Sequence, residues 1–261
     1  MDIRLRGRRA LVTAASKGLG FASVRALAGE GCHVAISSHN AEHLEVAAKA
    51  LRKEGYRIDA RVADLRNGDE CSALMEWAVA TLGGLDVLVN NCGGPIFGTV
   101  EGLDDAAWSE AFNLVVMSAV RLSRAALPTL RRDGGGVIVN LTSIAAHQPV
   151  DNLVLSNALR PAVVGMGKTL AKEAAPEVRV NSILTGRFET DRIVNENRHQ
   201  AQKLGVDIEE IRARSFKQIP LRRYGRPEEL AAAVVFLAGD GASFITGATL
   251  AVDGGEYPGL F

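Results

Sequence analysis

A short segment near the amino end has the residue types and spacing to hold phosphate. In Thr13-Ala14-Ala15-Ser16-Lys17-Gly18-Leu19-Gly20, Gly18 and Gly20 follow an apolar run and open a helical pattern. Glycine at such a junction lets backbone approach a pyrophosphate, and the helix start offers free N–H groups and positive dipole. A lone glycine loop is a weak motif that a plain tight turn would also give. Its place here, after the first strand and before the first helix, gives it weight. The end of the next strand should choose the cofactor. A carboxylate there bonds a ribose 2′-hydroxyl and repels a 2′-phosphate. This chain has Ser37-Ser38-His39-Asn40 instead, and Lys17 in the glycine loop adds a cation. Small hydroxyls, an imidazole and a lysine favour NADPH, with NADH as the alternative. Asp64, followed by Leu65, is placed to meet the adenine or to cap the next helix. Thr13, Ser16, Lys17, Gly18, Leu19, Gly20, Ser38, His39, Asp64 and Leu65 are therefore the candidate nucleotide contacts.

These residues need a scaffold, and the patterning supplies one. β-branched runs at Ala10–Thr13, His33–Ser37, Arg57–Val62, Val87–Val89, Gly136–Asn140, Arg179–Ile183 and Thr249–Val252 alternate with helical stretches. The helices are expected near Leu19–Glu30, Ala41–Glu54, Asp69–Leu82, Asp105–Arg131, Leu153–Ala174 and Pro227–Gly239. Such alternation implies right-handed βαβ units: an α/β fold, a doubly wound Rossmann-type parallel sheet with helices on both faces. Runs such as Val137-Ile138-Val139 suit strands buried on both sides. A single domain over 1–261 is expected, interrupted by a polar, arginine-rich segment, 188–218, that reads as a substrate lid. Its Arg187, Arg192 and Arg198 are candidate ligands for a carboxylate or phosphate, or simply solvated.

Bulk properties narrow the function. The chain has 261 residues, 47% of them hydrophobic, and a formal net charge of +0. Nothing electrostatic argues for nucleic acid or an anionic membrane, and no segment is apolar enough for a signal peptide or a membrane span. Cys32, Cys71 and Cys92 show no metal spacing and no even disulfide framework, so no metal is expected and a reduced cytoplasmic setting follows. Cys92 alone sits near the expected chemistry, in the turn Asn90-Asn91-Cys92-Gly93-Gly94.

Taken together these motifs resemble the short-chain dehydrogenase/reductases along essentially the whole chain. The loop Thr13–Gly20 is similar to that family's Thr-Gly-xxx-Gly-x-Gly, with Ala14 for its first glycine. Asn90-Asn91-Cys92-Gly93 is similar to Asn-Asn-Ala-Gly, and Thr185-Gly186-Arg187-Phe188-Glu189-Thr190 to Pro-Gly-x-x-x-Thr. The segments Gly225-Arg226-Pro227, Phe244–Gly247 and Val252–Gly255 resemble the C-terminal signature. The resemblance adds Asn91, Gly93, Gly186 and Thr190 to the cofactor contacts. It places the helix asparagine at Asn113 and the catalytic serine at Ser143. It also implies a homo-oligomer, usually a tetramer, acting on a small molecule.

The departure lies at Tyr-xxx-Lys, which falls on Ser156 and Arg160. The turn Cys92-Gly93-Gly94-Pro95 and the long lid look like a divergent, ketoacyl-carrier-protein-reductase-like subgroup. A serine is too weak an acid to replace a tyrosine tuned by a neighbouring cation. Arg160 keeps its proton but can bond the nicotinamide ribose and hold positive charge beside the substrate. The expected catalytic set is thus a group of donors: Asn113, Ser143, Ser156 and Arg160. Such donors suit electrostatic reduction of a conjugated enone or a reactive ketone. Two other groups are candidates for the missing acid: His147, and Tyr257 if the C-terminus folds back. Pro161 should start or kink its helix near Ser156, which would make Ser156 a cap. The competing function is a catalytically inactive nucleotide-binding member serving as a sensor or assembly partner.

Overall fold

The computed structural model describes residues 3–132 and 134–260. Its centre is a seven-stranded, all-parallel sheet in the order β3-β2-β1-β4-β5-β6-β7. The strands are β1 (Arg9–Val12), β2 (His33–Ser38), β3 (Ile58–Val62), β4 (Val87–Asn90), β5 (Gly136–Leu141), β6 (Val178–Thr185) and β7 (Thr249–Val252). All seven expected strands form, with ends differing by a residue or two. Alternate residues of each strand feed two separate apolar layers. Val12, Val34, Val89 and Val139 face α1 (Gly18–Gly29), α2 (Ala41–Lys53) and α9 (Pro227–Ala238). Leu11, Ala35, Leu88 and Ile138 face α3 (Gly68–Leu82), α5 (Ser118–Leu130) and α6 (Val154–Glu173). Burial on both sides is why these strands read as unbroken apolar runs.

Strand order reverses direction between β1 and β4, and the crevice beyond their carboxyl ends is where such sheets bind ligands. Asp86, just before β4, fixes this central pair. Its carboxylate accepts the Arg9 backbone N–H at 2.7 Å and the Arg9 Nε and Nη2 at 2.9 Å each.

The helix expected as one over Asp105–Arg131 is α4 (Asp105–Phe112) joined to α5 by a π-helical turn, Asn113–Met117. Within it the Ser118 hydroxyl donates to the Leu114 carbonyl at 2.5 Å. Pro161 neither starts nor ends its helix. Helix α6 begins two turns earlier at Val154, because Asn157 clamps the preceding loop through both Val150 backbone groups. The segment 188–218 folds as α7 (Asp191–Leu204) and α8 (Ile208–Gln218), separated by Gly205 in the left-handed region. Tyr224 anchors it, its ring packed edge-on to Phe216 and its hydroxyl paired with Asn197.

Burial tends to raise the Asp86 pKa, but the hydrogen bonds and charge of Arg9 outweigh it and hold the carboxyl below the usual range. A depressed carboxyl stabilises the fold above its unfolded pKa of about 3.9 and loses that effect as pH falls through the folded value. Asp86→Asn should therefore cost about 3 kcal/mol at pH 7. Urea unfolding should show the gap to wild type closing as pH drops below about 4.

Candidate active site

Three cavities form one trench along the strand ends. The first, of about 490 Å³, is lined by Ser38, His39, Asp64, Leu65, Arg66 and Glu110 among others. The second, of about 600 Å³, runs past Ser16, Lys17, Gly18, Leu19, Gly20, Asn91, Gly93, Thr190 and Arg192. The third, of about 170 Å³, holds Ser143, Ser156, Arg160, Arg187, Arg192 and Glu196. Residues far apart in sequence meet here because β1, β4, β5 and β6 all end at one edge.

The wide middle cavity fits a pyrophosphate. Lys17 stands at the N-cap of α1 and its side chain makes no capping hydrogen bond, so the first N–H groups of that helix face the trench uncapped. A Cβ on Gly20 would lie 2.6 Å from the Ala14 carbonyl and 2.7 Å from Asn91 Nδ2. Asn91 is therefore a brace, donating from Nδ2 to the Thr13 and Ala14 carbonyls at 3.1 Å each. Thr13 is fully buried beneath it, its hydroxyl bonded to the Asn91 carbonyl at 2.6 Å, so it shapes the loop rather than lining the trench. Ala14 takes the left-handed conformation, φ +47°, that glycine adopts freely.

At the wide end, the Ser16 hydroxyl donates to Ser38 at 3.0 Å. Lys17 Nζ lies 3.3 Å from His43 Nε2, and His39 is exposed beside them. His43 was not singled out in the sequence. It sits in the first turn of α2, where Asn40 Oδ1 accepts its backbone N–H at 2.8 Å, and that cap was the signal available. Asp64 is held by Arg66, whose guanidinium also pairs with Glu110. The Arg66 hydrogen bond, chiefly, keeps the Asp64 pKa low.

In the narrow cavity, α6 supplies Ser156 and Arg160. Ser156 is 5% exposed and stands at the third helical position; the cap is Leu153, so Ser156 is not a cap. Close packing of α6 on the sheet depends on Gly167, where a Cβ would come within 2.9 Å of Asn140 Nδ2. Arg160 is 7% exposed. Its Nη1 donates to the Leu141 carbonyl at 3.0 Å, while its Nε has no partner. Among the described residues no carboxylate comes within ion-pair distance of it. The Ser143 hydroxyl accepts the Ala145 N–H at 3.1 Å and keeps its proton free to donate.

Asn113 does not join this group. Its Nδ2 donates to the Ser109 carbonyl and its Oδ1 accepts from Arg121, so the side chain lies along its own helix and lines none of the three cavities. Nor does His147, which is exposed and packs edge-on to Tyr257 with ring centres 5.1 Å apart. Tyr257 folds back, as one expectation had it, but onto His147. Tyr56 packs in the sheet core and Tyr224 under the lid, so no tyrosine lines the cavity of Ser156 and Arg160. Gly186 and Thr190 do lie there, with Gly186 closed against Asp253. Of the three arginines expected to bind an anion, Arg187 is taken by Glu256 at 3.0 Å and Glu196 at 3.5 Å. Arg198 bonds Asn195 in solvent. Arg192 enters the trench.

A doubly wound sheet with an uncapped glycine-loop helix at its switch point, feeding a pocket of hydroxyls and a buried cation, defines a dinucleotide-dependent oxidoreductase. Comparison with known proteins narrows the class. The family described as enoyl-(acyl carrier protein) reductase matches residues 13–256. Dehydrogenase/reductase SDR family member 4 from Homo sapiens is 34% identical, over 96% of this chain and 88% of its own. The crystal structure of L-sorbose reductase from Gluconobacter frateurii, complexed with NADPH and L-sorbose, superposes over 100% of both chains with a TM-score of 0.95 at 32% identity. A 7α-hydroxysteroid dehydrogenase complexed with NADH and 7-oxo-glycochenodeoxycholic acid gives a TM-score of 0.90 at 30% identity, over 100% of this chain and 98% of that one. The chain belongs to the short-chain dehydrogenase/reductase family of NAD(P)-dependent oxidoreductases.

Two substitutions test the loop. Gly20→Ala should abolish nucleotide binding in a fluorescence titration, since its Cβ would meet backbone and the Asn91 brace. Ala14→Gly should raise stability to urea by about 0.5–1 kcal/mol, relieving a left-handed alanine at some cost in unfolded-chain entropy.

Proposed function

We propose that the protein uses NADPH to reduce a small carbonyl compound or conjugated enone, with Ser143, Ser156 and Arg160 stabilising the charge that develops on the substrate oxygen. The observation that carries this is Arg160. A guanidinium buried without a counter-ion costs several kcal/mol unless something repays it. A negative charge forming in the adjoining cavity would do so, and only while it exists, which is what lowers a barrier. Held along the trench beside Ser156 and Arg160, a bound nicotinamide would supply a hydride to the carbonyl carbon, or to the β-carbon of the enone. The π electrons move to oxygen, where the serine hydroxyls donate hydrogen bonds and Arg160 supplies fixed charge. A proton from water completes the addition, at oxygen for a ketone or at carbon for an enolate. No tuned phenol is required because the donors stabilise charge without transferring a proton.

The choice of NADPH rests on the wide end of the trench. Ser38, His39, Lys17 and His43 surround the end of β2, and among the described residues Lys17 is paired with exposed Asp191 at 3.9 Å. The NADPH bound by the sorbose reductase supports the same choice. The segment 188–218 is then a substrate lid, since its Thr190, Arg192 and Glu196 form one wall of the narrow cavity. Exposed Phe244 and Leu250, at the β7 edge of the sheet, support the expected homo-oligomer. The lack of a tyrosine in the cavity favours one second reading, a member that binds nucleotide without turning it over.

Wild-type protein should oxidise NADPH with members of a ketone and enone panel, followed at 340 nm. Arg160→Met should lower kcat/KM by about 10²–10³. NADPH binding without any oxidation across the panel would establish the second reading instead.

A further inference from the structure

Charges around the narrow cavity do not balance. Arg160, Arg187, Arg192 and Glu196 line it, and Glu256 stands behind Arg187. Arg187 holds both carboxylates, at 3.0 and 3.5 Å. Arg160 and Arg192 have no ion-pair partner among the described residues, so the pocket carries positive charge in excess.

Arg192 is built to present its charge. Its guanidinium lies over the Phe97 ring, 4.7 Å from the centroid, and its Nη2 donates to the Pro95 carbonyl at 3.2 Å. Gly94 makes room, because a Cβ there would sit 2.1 Å from the guanidinium carbon. Stacking on an aromatic face and a tether to backbone fix the plane of the fork, and a fixed fork suits a carboxylate held by two parallel bonds. The residue is exposed because the trench is open, yet its head is walled by protein. That wall lowers its pKa; Glu196 opposes the shift and Arg160 adds to it. Two guanidiniums that feel each other across a pocket this small are stabilised together by an anion between them.

We infer that the cavity contains a carboxylate subsite at Arg192, and that the substrate is a small oxo acid or unsaturated oxo acid whose reacting oxygen faces Ser156 and Arg160. The inference rests on the proposed reductase reading and supplies its substrate class. The volume, about 170 Å³, is below the roughly 300–1,000 Å³ of pockets for drug-sized ligands, so the acid is short. A pyrophosphate is the other anion within reach of Arg192, which also lines the middle cavity. The uncapped start of α1 and Lys17 already serve that group from the opposite side.

The test pairs 2-, 3- and 4-oxo carboxylates with their methyl esters. Calorimetry on the full-length protein saturated with NADP⁺ reads binding, and NADPH oxidation reads turnover. Acids should bind at least about tenfold more tightly than their esters, as a charge-assisted bidentate contact gives. Arg192→Met should erase that preference; Arg192→Lys, which keeps the charge and loses the fork, should restore part of it. Three results overturn the subsite: acids and esters binding alike, neither binding, or Arg192→Met weakening NADPH while the acid preference persists. Acids that bind tightly but are never reduced would keep the subsite and defeat the reductase reading. Neutral ketones reduced with no preference for acids would do the reverse.

Discussion

A guanidinium kept from water and from any carboxylate is the constraint around which this molecule is arranged. Arg160 reaches its place because α6 lies against the sheet at Gly167, and it is tied at one nitrogen to the last residue of β5. An ion pair at that point would cancel the field that the pocket exists to project. The protein instead places its carboxylates one residue away, where Glu196 and Glu256 neutralise Arg187 and so organise the lid and the C-terminal segment around it. The central charge is left for a ligand to answer.

The trench separates its tasks by geometry. Backbone N–H groups at the start of α1 offer dipole without a side chain, which suits a group common to every nicotinamide dinucleotide. Side chains at the end of β2 line its wide end. Side chains on α6 and α7 line the narrow cavity. Each layer of specificity comes from a different element, so each can vary without disturbing the others. Helix α7 is tied to Tyr224 through Asn197.

Legibility in the sequence followed the range of the interactions. The strands and the glycine loop were readable because period-two and 3.6-residue patterns and a glycine at a strand–helix junction are local properties. Asn113 was named from the resemblance and not from any local pattern. Its amide is spent on Ser109 and Arg121, and the latter comes from a helical turn further along the chain. The start of α6 was legible in the pattern from Leu153 onward: the helix begins at Val154, where Asn157 holds the Val150 backbone, and carries Pro161 inside it. Arg66 and Glu110 went unnoticed because nothing in their own neighbourhoods distinguishes them from surface charge, whereas His43 carried one local mark, the Asn40 cap.

What the sequence determined by itself was a parallel, doubly wound sheet, the glycine loop at its first turn, and the types of the groups that line the trench. What only the tertiary structure decided was which charges remain unpaired. Arg187, Arg192 and Arg198 are equivalent as letters in one polar stretch. Folding gives the first two carboxylates, the last to solvent and an asparagine, and turns the middle one over an aromatic ring into the cavity. Net electrostatic field depends on distances between groups remote in sequence, and those distances exist only once the chain has closed.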